Sequence, residues 1–184
     1  MRVLVACEFS GIVREAFAAR GYDAWSCDLE PSERPGQHIQ GDVLDVLSEG
    51  WDLMIAHPPC TYLCNSGARW WRQRQAEQRH ALAFVQLLLD APIPRMALEN
   101  PEGCISTRLC KPSQRIHPWE YGHGEEKKTH LWLRNLPPLH PTQIVAERQQ
   151  RCWRMGQHTH RSRERSRTYP GIAAAMAAQW GGTP

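Results

Sequence analysis

A short apolar run at residues 51–56 stops abruptly at His57, Pro58, Pro59 and Cys60. An apolar run that is bounded by chain breakers is typical of an interior strand in a parallel sheet. Two consecutive prolines cannot continue the ladder of hydrogen bonds, and their rings restrict the backbone. Because open α/β sheets carry their chemistry beyond the carboxyl ends of the strands, we predict that this stiff loop presents Cys60 as a nucleophile.

Apolar runs of strand length alternate with helical patterns along the whole chain of 184 residues. Most of the predicted strands end in a Gly, Pro or polar signal, which favours a doubly wound α/β fold with a mostly parallel sheet. No repeat or clear boundary divides the chain, so we predict one domain over residues 1–184, with a short arginine-rich insert at about residues 137–167 before the C-terminal helix. The predicted strands cover residues 2–6, 22–27, 38–40, 51–56, 95–98 and 130–133, and the predicted helices include residues 69–90 and 172–180.

The cysteines and the N-terminal sequence favour a cytoplasmic protein with reduced thiols. The chain has seven cysteines, an odd number, and no two have the C-x-x-C spacing, so a disulfide framework is not expected. Glu8 and Arg14 interrupt the first apolar run, which argues against a signal peptide, and no apolar run is long enough to cross a membrane. We expect no metal site, because the cysteines and histidines at residues 104–123 match no zinc finger or ribbon spacing.

Positive charge is concentrated in residues 148–167. This segment holds seven arginines against one acid, Glu164, so it carries +6 while the other residues carry −3 of the net +3. Such a block is either a solvated face or an element that binds phosphates, and composition does not choose between them. The arginines are Arg148, Arg151, Arg154, Arg161, Arg163, Arg165 and Arg167.

Polar residues that suit a nucleotide-like cofactor follow the predicted strands in order. A glycine-containing turn at residues 9–11 follows the first strand and would let a ligand approach the backbone closely. Asp28 ends the second strand and suits a ribose diol, while Asp42 follows the third strand and suits the amino group of a purine. The later strand ends add Cys60, Glu99 and Asn100.

The order of these motifs resembles the DNA cytosine-5 methyltransferases, which use S-adenosylmethionine. The resemblance covers most of the chain and implies a Rossmann-like class I methyltransferase fold. Its most specific part is Pro-Cys followed by Glu-Asn, which implies that Cys60 is the catalytic nucleophile and Glu99 the catalytic glutamate. It also implies that Phe9, Gly11, Asp28, Asp42 and Pro58 bind the cofactor and that Asn100 and Lys127 contact the substrate.

The chain departs from the family pattern in ways that bear on its activity. Val13 replaces a glycine of the first motif, and Lys127 stands where the family has arginine, whose planar fork lysine lacks. The large target-recognition region of the family is reduced to residues 137–167, so the chain resembles a minimal form that lacks this domain. We expect Arg165 and its neighbours to bind DNA phosphates, or a second copy or partner protein to supply target recognition.

We predict that the protein transfers a methyl group from S-adenosylmethionine to C5 of cytosine in DNA. Cys60 would add to C6 as a thiolate, and Glu99 would stabilise the resulting intermediate by sharing a proton with N3. Cys7, Cys27 and Cys64 are expected to be bystanders. Two alternatives stay open: C5 modification of a free cytosine nucleotide, and a non-catalytic nucleic-acid-binding protein on a decayed methyltransferase scaffold.

Overall fold

The computed structural model describes residues 1–150 and 161–182, without the side chains of residues 161 and 162. The strands are β1 (Arg2–Ala6), β2 (Asp23–Asp28), β3 (His38–Gln40), β4 (Leu53–Ala56), β5 (Arg95–Pro101), β6 (Gln114–Ile116) and β7 (Thr129–Arg134). The helices are α1 (Ile12–Ala18), α2 (Gln75–Leu89), α3 (Ile105–Arg108), α4 (Arg161–Ser166) and α5 (Pro170–Trp180).

Within these residues the seven strands form one sheet in the order β3-β2-β1-β4-β5-β7-β6. Parallel pairing joins β3, β2, β1, β4 and β5, whereas β7 runs antiparallel to both of its neighbours, β5 and β6. This is a doubly wound, mostly parallel sheet of Rossmann-like topology, so the predicted α/β fold class is confirmed. None of the helices in the described ranges is long and apolar enough to cross a bilayer.

The sheet separates two apolar cores, because successive side chains of a strand point to opposite faces. Val3 and Val5 of β1 face the core that α1 and α5 cover, where Phe17 and Trp180 are fully buried. Leu4 of the same strand faces the opposite core, which α2 covers. Burial on both faces explains why the central strands read as apolar runs rather than as alternating patterns.

The helix predicted at residues 69–90 is shorter than its pattern indicates, because α2 begins only at Gln75. A 3-10 turn over Asn65–Trp70 precedes it. Trp71 packs against the core beneath α2, and the backbone at Arg74 (φ −121°, ψ 40°) is not helical. The segment lacks both Gly and Pro, so its sequence carries no local signal for this break.

Strand β5 extends further than predicted and includes Glu99 and Asn100. Its pairing with β4 ends at Leu98, but β7 continues alongside, with Glu99 opposite Leu131 and Asn100 opposite His130. Glu99 therefore lies on an ordered strand rather than on a loop. This placement holds its backbone rigidly at the edge of the candidate site.

Candidate active site

Sheet register places four polar side chains in one row at the carboxyl edge of the sheet. Ala6 of β1 lies opposite both Cys27 of β2 and Ala56 of β4, and Ala56 lies opposite Leu98 of β5. The next residue on each strand therefore falls on the same line, with neighbouring strands about 4.8 Å apart. These residues are Asp28, Cys7, His57 and Glu99.

A cavity of about 1050 Å³ opens at this row. Ligand pockets usually have volumes of about 300–1,000 Å³, so the cavity is slightly larger than the upper end of that range. Within residues 1–150 and 163–182, no group of three or more His, Cys, Asp or Glu side chains could hold a metal ion. The residues that line the cavity include Cys7, Phe9, Asp28, Glu30, His57, Cys60, Cys64, Arg69, Arg163 and Arg165.

Glu8 fills the N-terminus of α1 with its own carboxylate. Its oxygens accept the backbone N–H groups of Val13 at 2.7 Å and Arg14 at 3.1 Å, and Oε1 also accepts the Ser10 hydroxyl. Gly11 adopts the left-handed conformation (φ 71°) that turns the chain between Glu8 and these donors. Because a phosphate would bind through the same N–H groups, it could not bind at this turn without displacing Glu8.

The fully buried side chain of Arg14 organises the loop between β2 and β3. A Cβ atom at Gly11 would lie 2.6 Å from Nη2 of Arg14, so the missing side chain at this position serves the packing of the arginine. Gly11, a predicted cofactor contact, does not line the cavity. The guanidinium donates to the hydroxyls of Ser26 and Ser32 and to the carbonyls of Arg34, Pro35 and Gln37.

The other predicted cofactor residues near β2 and β3 differ in their positions. Phe9 and Asp28 line the cavity, and burial raises the pKa of the Asp28 carboxyl. Asp42 is exposed, and its carboxylate accepts the Leu44 N–H at 3.0 Å in the turn after β3. Asp42 therefore acts as a turn former here and does not line the cavity.

The end of the arginine-rich segment folds back over the β2 side of the cavity. Arg163 pairs with Glu30 at 3.0 Å and Glu33 at 2.9 Å, and its guanidinium lies 4.7 Å from the ring centroid of Phe9. Arg167 donates two hydrogen bonds to Glu33, at 2.7 and 2.9 Å. The bonds from Arg167 and Arg163 hold the pKa of Glu33 below its usual range. This part of the segment is thus engaged with acids of the same chain.

Arg165 of α4 lies near Cys64, on the loop after β4, and near Lys127, just before β7. It lines the cavity, and its charge contributes to the lowered pKa of Cys64. Its backbone carbonyl accepts a hydrogen bond from Nζ of Lys127 at 3.1 Å.

The other arginines of the segment do not all fall within the described residues. Arg148 lies over the ring of Trp119, 3.7 Å from its centroid. Arg151, Arg154 and the side chain of Arg161 lie outside the described residues.

Cys60 and Cys64 form a pair of neighbouring thiols on the loop that follows β4. The Cys64 N–H donates to the Cys60 carbonyl at 3.0 Å, which closes a helical turn and brings the two side chains together. The Cys60 thiol donates a hydrogen bond to the Cys64 sulfur. Ser66 is hydrogen bonded to the same sulfur at 2.9 Å, and the Gly67 N–H also donates to it. Cys60 is the more exposed of the two residues.

These contacts separate the pKa values of the two thiols. The hydrogen bond from Cys60 outweighs burial and, with the other donors and the charge of Arg165, lowers the pKa of Cys64 to about 5. The same hydrogen bond, burial and the negative charge on Cys64 raise the pKa of Cys60 well above its usual value, although Lys127 opposes this. At neutral pH the pair therefore carries one negative charge, with the remaining proton on Cys60.

We expect one thiol of this pair to stay ionised at pH values at which an ordinary cysteine is protonated. The ultraviolet absorbance of thiolates should fall by one equivalent as the pH drops through about 5, because Cys64 takes up its proton there. Cys64→Ala should abolish this step, whereas Cys110→Ala, which removes an exposed thiol outside the cavity, should leave it unchanged. Cys60 should then ionise at lower pH than in the wild type, because it loses both an acceptor and a like charge. A low-pH step that survives Cys64→Ala would contradict the assignment of this step to Cys64.

The loop that carries the thiols is anchored to the chain that follows β5. Leu63 is buried, and its carbonyl accepts the Cys104 N–H at 2.8 Å. Gly103 pairs with Cys64 in an isolated bridge between these two segments. A Cβ atom at Gly103 would overlap the Leu63 carbonyl, so only glycine permits this close approach.

Glu99 does not line the cavity, but it is hydrogen bonded to His57, which lines it. Nδ1 of His57 lies 3.0 Å from Oε2 of Glu99, and both side chains are largely buried. Burial alone would raise the pKa of Glu99, but the bond from His57 and the charge of Lys127 outweigh it and hold this pKa below its usual range. Glu99 is therefore ionised at neutral pH.

Lys127 is the member of the Lys127–Lys128 pair that faces the reactive groups. Its charge favours the ionised forms of both Cys60 and Glu99. It opposes the rise in the pKa of Cys60 and contributes to the lowering of the pKa of Glu99. Lys128 instead binds a carboxylate after β5, Glu102, at 3.2 Å. The predicted substrate contact at Lys127 is therefore close to both predicted catalytic residues.

Asn100 and Pro58 connect β5 to the proline loop. The Asn100 side chain is buried, and its N–H donates to the Pro58 carbonyl at 2.8 Å. Neither residue lines the cavity, although the sequence predicts a substrate contact for Asn100 and a cofactor contact for Pro58. In this structure their hydrogen bond holds the start of the loop that carries Cys60.

Sequence patterns alone do not identify three residues of the site: Glu8, His57 and Cys64. The spacing of Cys60 and Cys64 signals a contact only if the intervening loop forms a helical turn. His57 is marked by its position one residue beyond β4, in register with the polar ends of the neighbouring strands. Glu8 carries no signal beyond being an acid before a glycine turn.

Comparisons with known proteins show a likeness in fold alone. No protein-family model and no curated protein matches the chain. A solved structure described as a DNA modification methyltransferase encoded within an Escherichia coli prophage is 14% identical with a TM-score of 0.49, over 79% of this chain and 52% of its own. An Escherichia coli rRNA methylase is 16% identical (TM-score 0.42, 72% and 56%), and the 16S rRNA methylase RmtB is 18% identical (TM-score 0.41, 72% and 55%). The chain thus spans little more than half the length of these proteins.

Proposed function

We propose that this protein transfers a methyl group from S-adenosylmethionine to C5 of cytosine in DNA, through a covalent bond between Cys60 and C6. The observation that carries the proposal is the thiol pair Cys60–Cys64 in the same cavity as Phe9, Asp28 and Glu30. A candidate nucleophile and a recess that suits a nucleoside thus share one edge of a class I methyltransferase fold.

The residues on the β2 side of the cavity suit S-adenosylmethionine better than a dinucleotide. Asp28 and Glu30 offer carboxylates to ribose hydroxyls, and Phe9 offers an aromatic face beside them. Glu8 occupies the N–H groups at the start of α1, where a pyrophosphate would bind, and S-adenosylmethionine has no phosphate. Arg163 lies over Phe9 and pairs with Glu30, so it would share both residues with the cofactor. When bound, S-adenosylmethionine supplies a methyl group on a positively charged sulfonium.

A thiolate suits this reaction because C5 of cytosine is a poor nucleophile until a group adds at C6. Cys60 directly follows two rigid prolines and is the more exposed residue of the pair, which favours it as the nucleophile. Its proton can pass along the hydrogen bond to Cys64, which leaves the negative charge on Cys60 as it attacks. The charge of Lys127 favours this form of Cys60. Cys64 therefore acts as the acceptor of the Cys60 proton rather than as a bystander.

Basic and aromatic side chains beside the cavity suit a nucleic acid. Arg69 and Arg165 line the cavity, and Arg69 lies 5.1 Å from the ring of Trp70, which is 44% exposed. Arginines bind phosphates and aromatic rings stack on unpaired bases, so these residues could hold a strand whose target cytosine has left the stack. A free cytosine nucleotide is the smaller substrate that the same cavity would admit.

Labelled S-adenosylmethionine tests the proposal with duplex DNA, single-stranded DNA, the same strand without cytosine, and dCMP as acceptors. We expect label at C5 of cytosine in DNA, and a strand that contains 5-fluorocytosine should be trapped on Cys60, as peptide mass spectrometry would show. Label on dCMP alone would make the free nucleotide the substrate. Calorimetry that detects no binding of S-adenosylhomocysteine would contradict the enzyme and favour a non-catalytic nucleic-acid-binding protein.

A further inference from the structure

His57 holds a buried ring nitrogen that has no partner among the described residues. Its Nδ1 is bonded to Glu99 at 3.0 Å, whereas Nε2 makes no hydrogen bond within residues 1–150 and 163–182. The side chain is only 7% exposed, and the residue lines the cavity. Buried polar atoms are almost always paired in native proteins, so an unpaired ring nitrogen at a cavity wall points to a ligand group.

The hydrogen bond to Glu99 determines the tautomer of the His57 ring. Glu99 is ionised and can only accept a hydrogen bond, so the ring proton lies on Nδ1 of His57. In the neutral imidazole the lone pair is then on Nε2, the unpaired atom. A carboxylate behind the ring also stabilises the imidazolium that forms when Nε2 accepts a proton. This arrangement is that of a general base with its orienting group.

His57 and Cys60 stand at the two ends of the same proline loop. The His57 N–H donates to the Ala6 carbonyl at 2.9 Å, which fixes the start of the loop on the sheet. The two prolines between them limit changes in the separation of the two side chains. In a cytosine that is bonded to Cys60 through C6, C5 is the adjacent ring atom. A base on the same loop is therefore better placed for C5 than for the far side of the ring.

We infer that His57, with its ring held by Glu99, is the base that removes the proton from C5 after methyl transfer. The inference rests on the proposed function. Nε2 of His57 takes the C5 proton, and the electron pair of the C5–H bond forms the C5–C6 double bond. The C6–S bond then breaks, and its electron pair leaves with Cys60 as a thiolate. The imidazolium passes its proton to water. Glu99, which does not line the cavity, is here a positioning residue for His57 and not the residue that shares a proton with N3 of cytosine.

Three variants test this assignment: His57→Gln, Glu99→Gln and the double variant. The glutamine at position 57 offers an amide N–H to Glu99, so the buried carboxylate stays paired while the titratable ring is lost. We expect His57→Gln to reduce turnover by roughly 10²- to 10⁴-fold, the usual contribution of general acid–base catalysis. Glu99→Gln should reduce turnover by about 10- to 100-fold, the loss that is typical when the hydrogen-bond partner of a metal-ligating histidine is removed. The double variant should be no slower than His57→Gln, because Glu99 acts only through His57.

A second measurement separates base catalysis from a merely structural role. With DNA that carries tritium at C5 of cytosine, His57→Gln should transfer one methyl group per active site, remain bound to the strand through Cys60 and release little tritium. A variant that was only misfolded would lose covalent attachment as well. His140→Gln, which changes an exposed histidine outside the cavity, should release tritium at the wild-type rate.

Two results would overturn the inference while the proposed function stands: tritium release by His57→Gln at the wild-type rate, or Glu99→Gln and His57→Gln effects that multiply in the double variant. Multiplied effects would mean that Glu99 contacts the cytosine directly. A wild-type protein that neither transfers a methyl group nor traps 5-fluorocytosine would instead overturn the proposed function, and this inference with it.

Discussion

Replacing Cys60 with serine is expected to reduce methyl transfer by roughly 10³-fold or more, because removal of a covalent nucleophile usually has at least this effect. Serine nearly preserves the size of the side chain and can still donate a hydrogen bond to Cys64, but its hydroxyl ionises far less readily than a thiol. Labelled methyl transfer and trapping of 5-fluorocytosine should both be lost. Binding of S-adenosylhomocysteine should be unchanged, because Cys60 lies on the other side of the cavity from Asp28 and Phe9.

Two further cysteine variants make this experiment decisive. Cys110→Ser removes an exposed thiol outside the cavity and should keep full activity. Cys64→Ser should slow the reaction but still be trapped on Cys60, because Cys64 is proposed only as an acceptor of the Cys60 proton. The reverse result, with trapping that survives Cys60→Ser and is lost in Cys64→Ser, would make Cys64 the nucleophile.

Replacing Gly103 with alanine is expected to lower turnover by about 10²-fold, although Gly103 does not line the cavity. The added methyl group would overlap the Leu63 carbonyl and lie 2.7 Å from Cα of Cys64. Both neighbours are backbone, so the clash is relieved only if the segment that carries the thiols moves. A shift of about 1 Å at a catalytic group is enough for a loss of this size.

The effect of Gly103→Ala on turnover should exceed its effect on folding. Overpacking of this kind typically lowers the free energy of unfolding by about 1–3 kcal/mol, which urea denaturation would measure. Gly41→Ala is the matched control, because a Cβ atom there meets nothing within 4 Å. Wild-type turnover in Gly103→Ala would contradict the position that the structure assigns to the thiol segment.

Much of the sheet could be predicted because its central strands are buried on both faces. Such strands read as apolar runs that end at chain breakers, as β1 and β4 do. Strand β6 escaped prediction because its three residues lie between Pro112 and Pro118, in a stretch whose prolines indicate a loop. The predicted start of α2 was wrong because the chain leaves the helical path before Gln75, where Trp71 packs against the core, and the local sequence does not encode this packing.

The candidate site was predictable in its residues but less so in their contacts. Motifs at the strand ends identify Cys60 and Glu99 as candidates without any structure. The bond between Glu99 and His57 joins residues that are 42 positions apart, and no periodicity relates them. It arises because β4 and β5 pair in a register that aligns their carboxyl ends. The arginine-rich segment likewise meets Glu30 and Glu33 only through folding of the chain.

The sequence by itself determined where each central strand stops and which polar residue follows it, because apolar runs and chain breakers act locally. Only the tertiary structure decided which of these residues meet. It brought the loop after β4 against Gly103, placed Arg165 near Cys64 and Lys127 near Cys60, and paired His57 with Glu99. The ionisation of a thiol or a carboxyl depends on burial and on charges and donors within a few ångströms, and these neighbours come from distant parts of the chain.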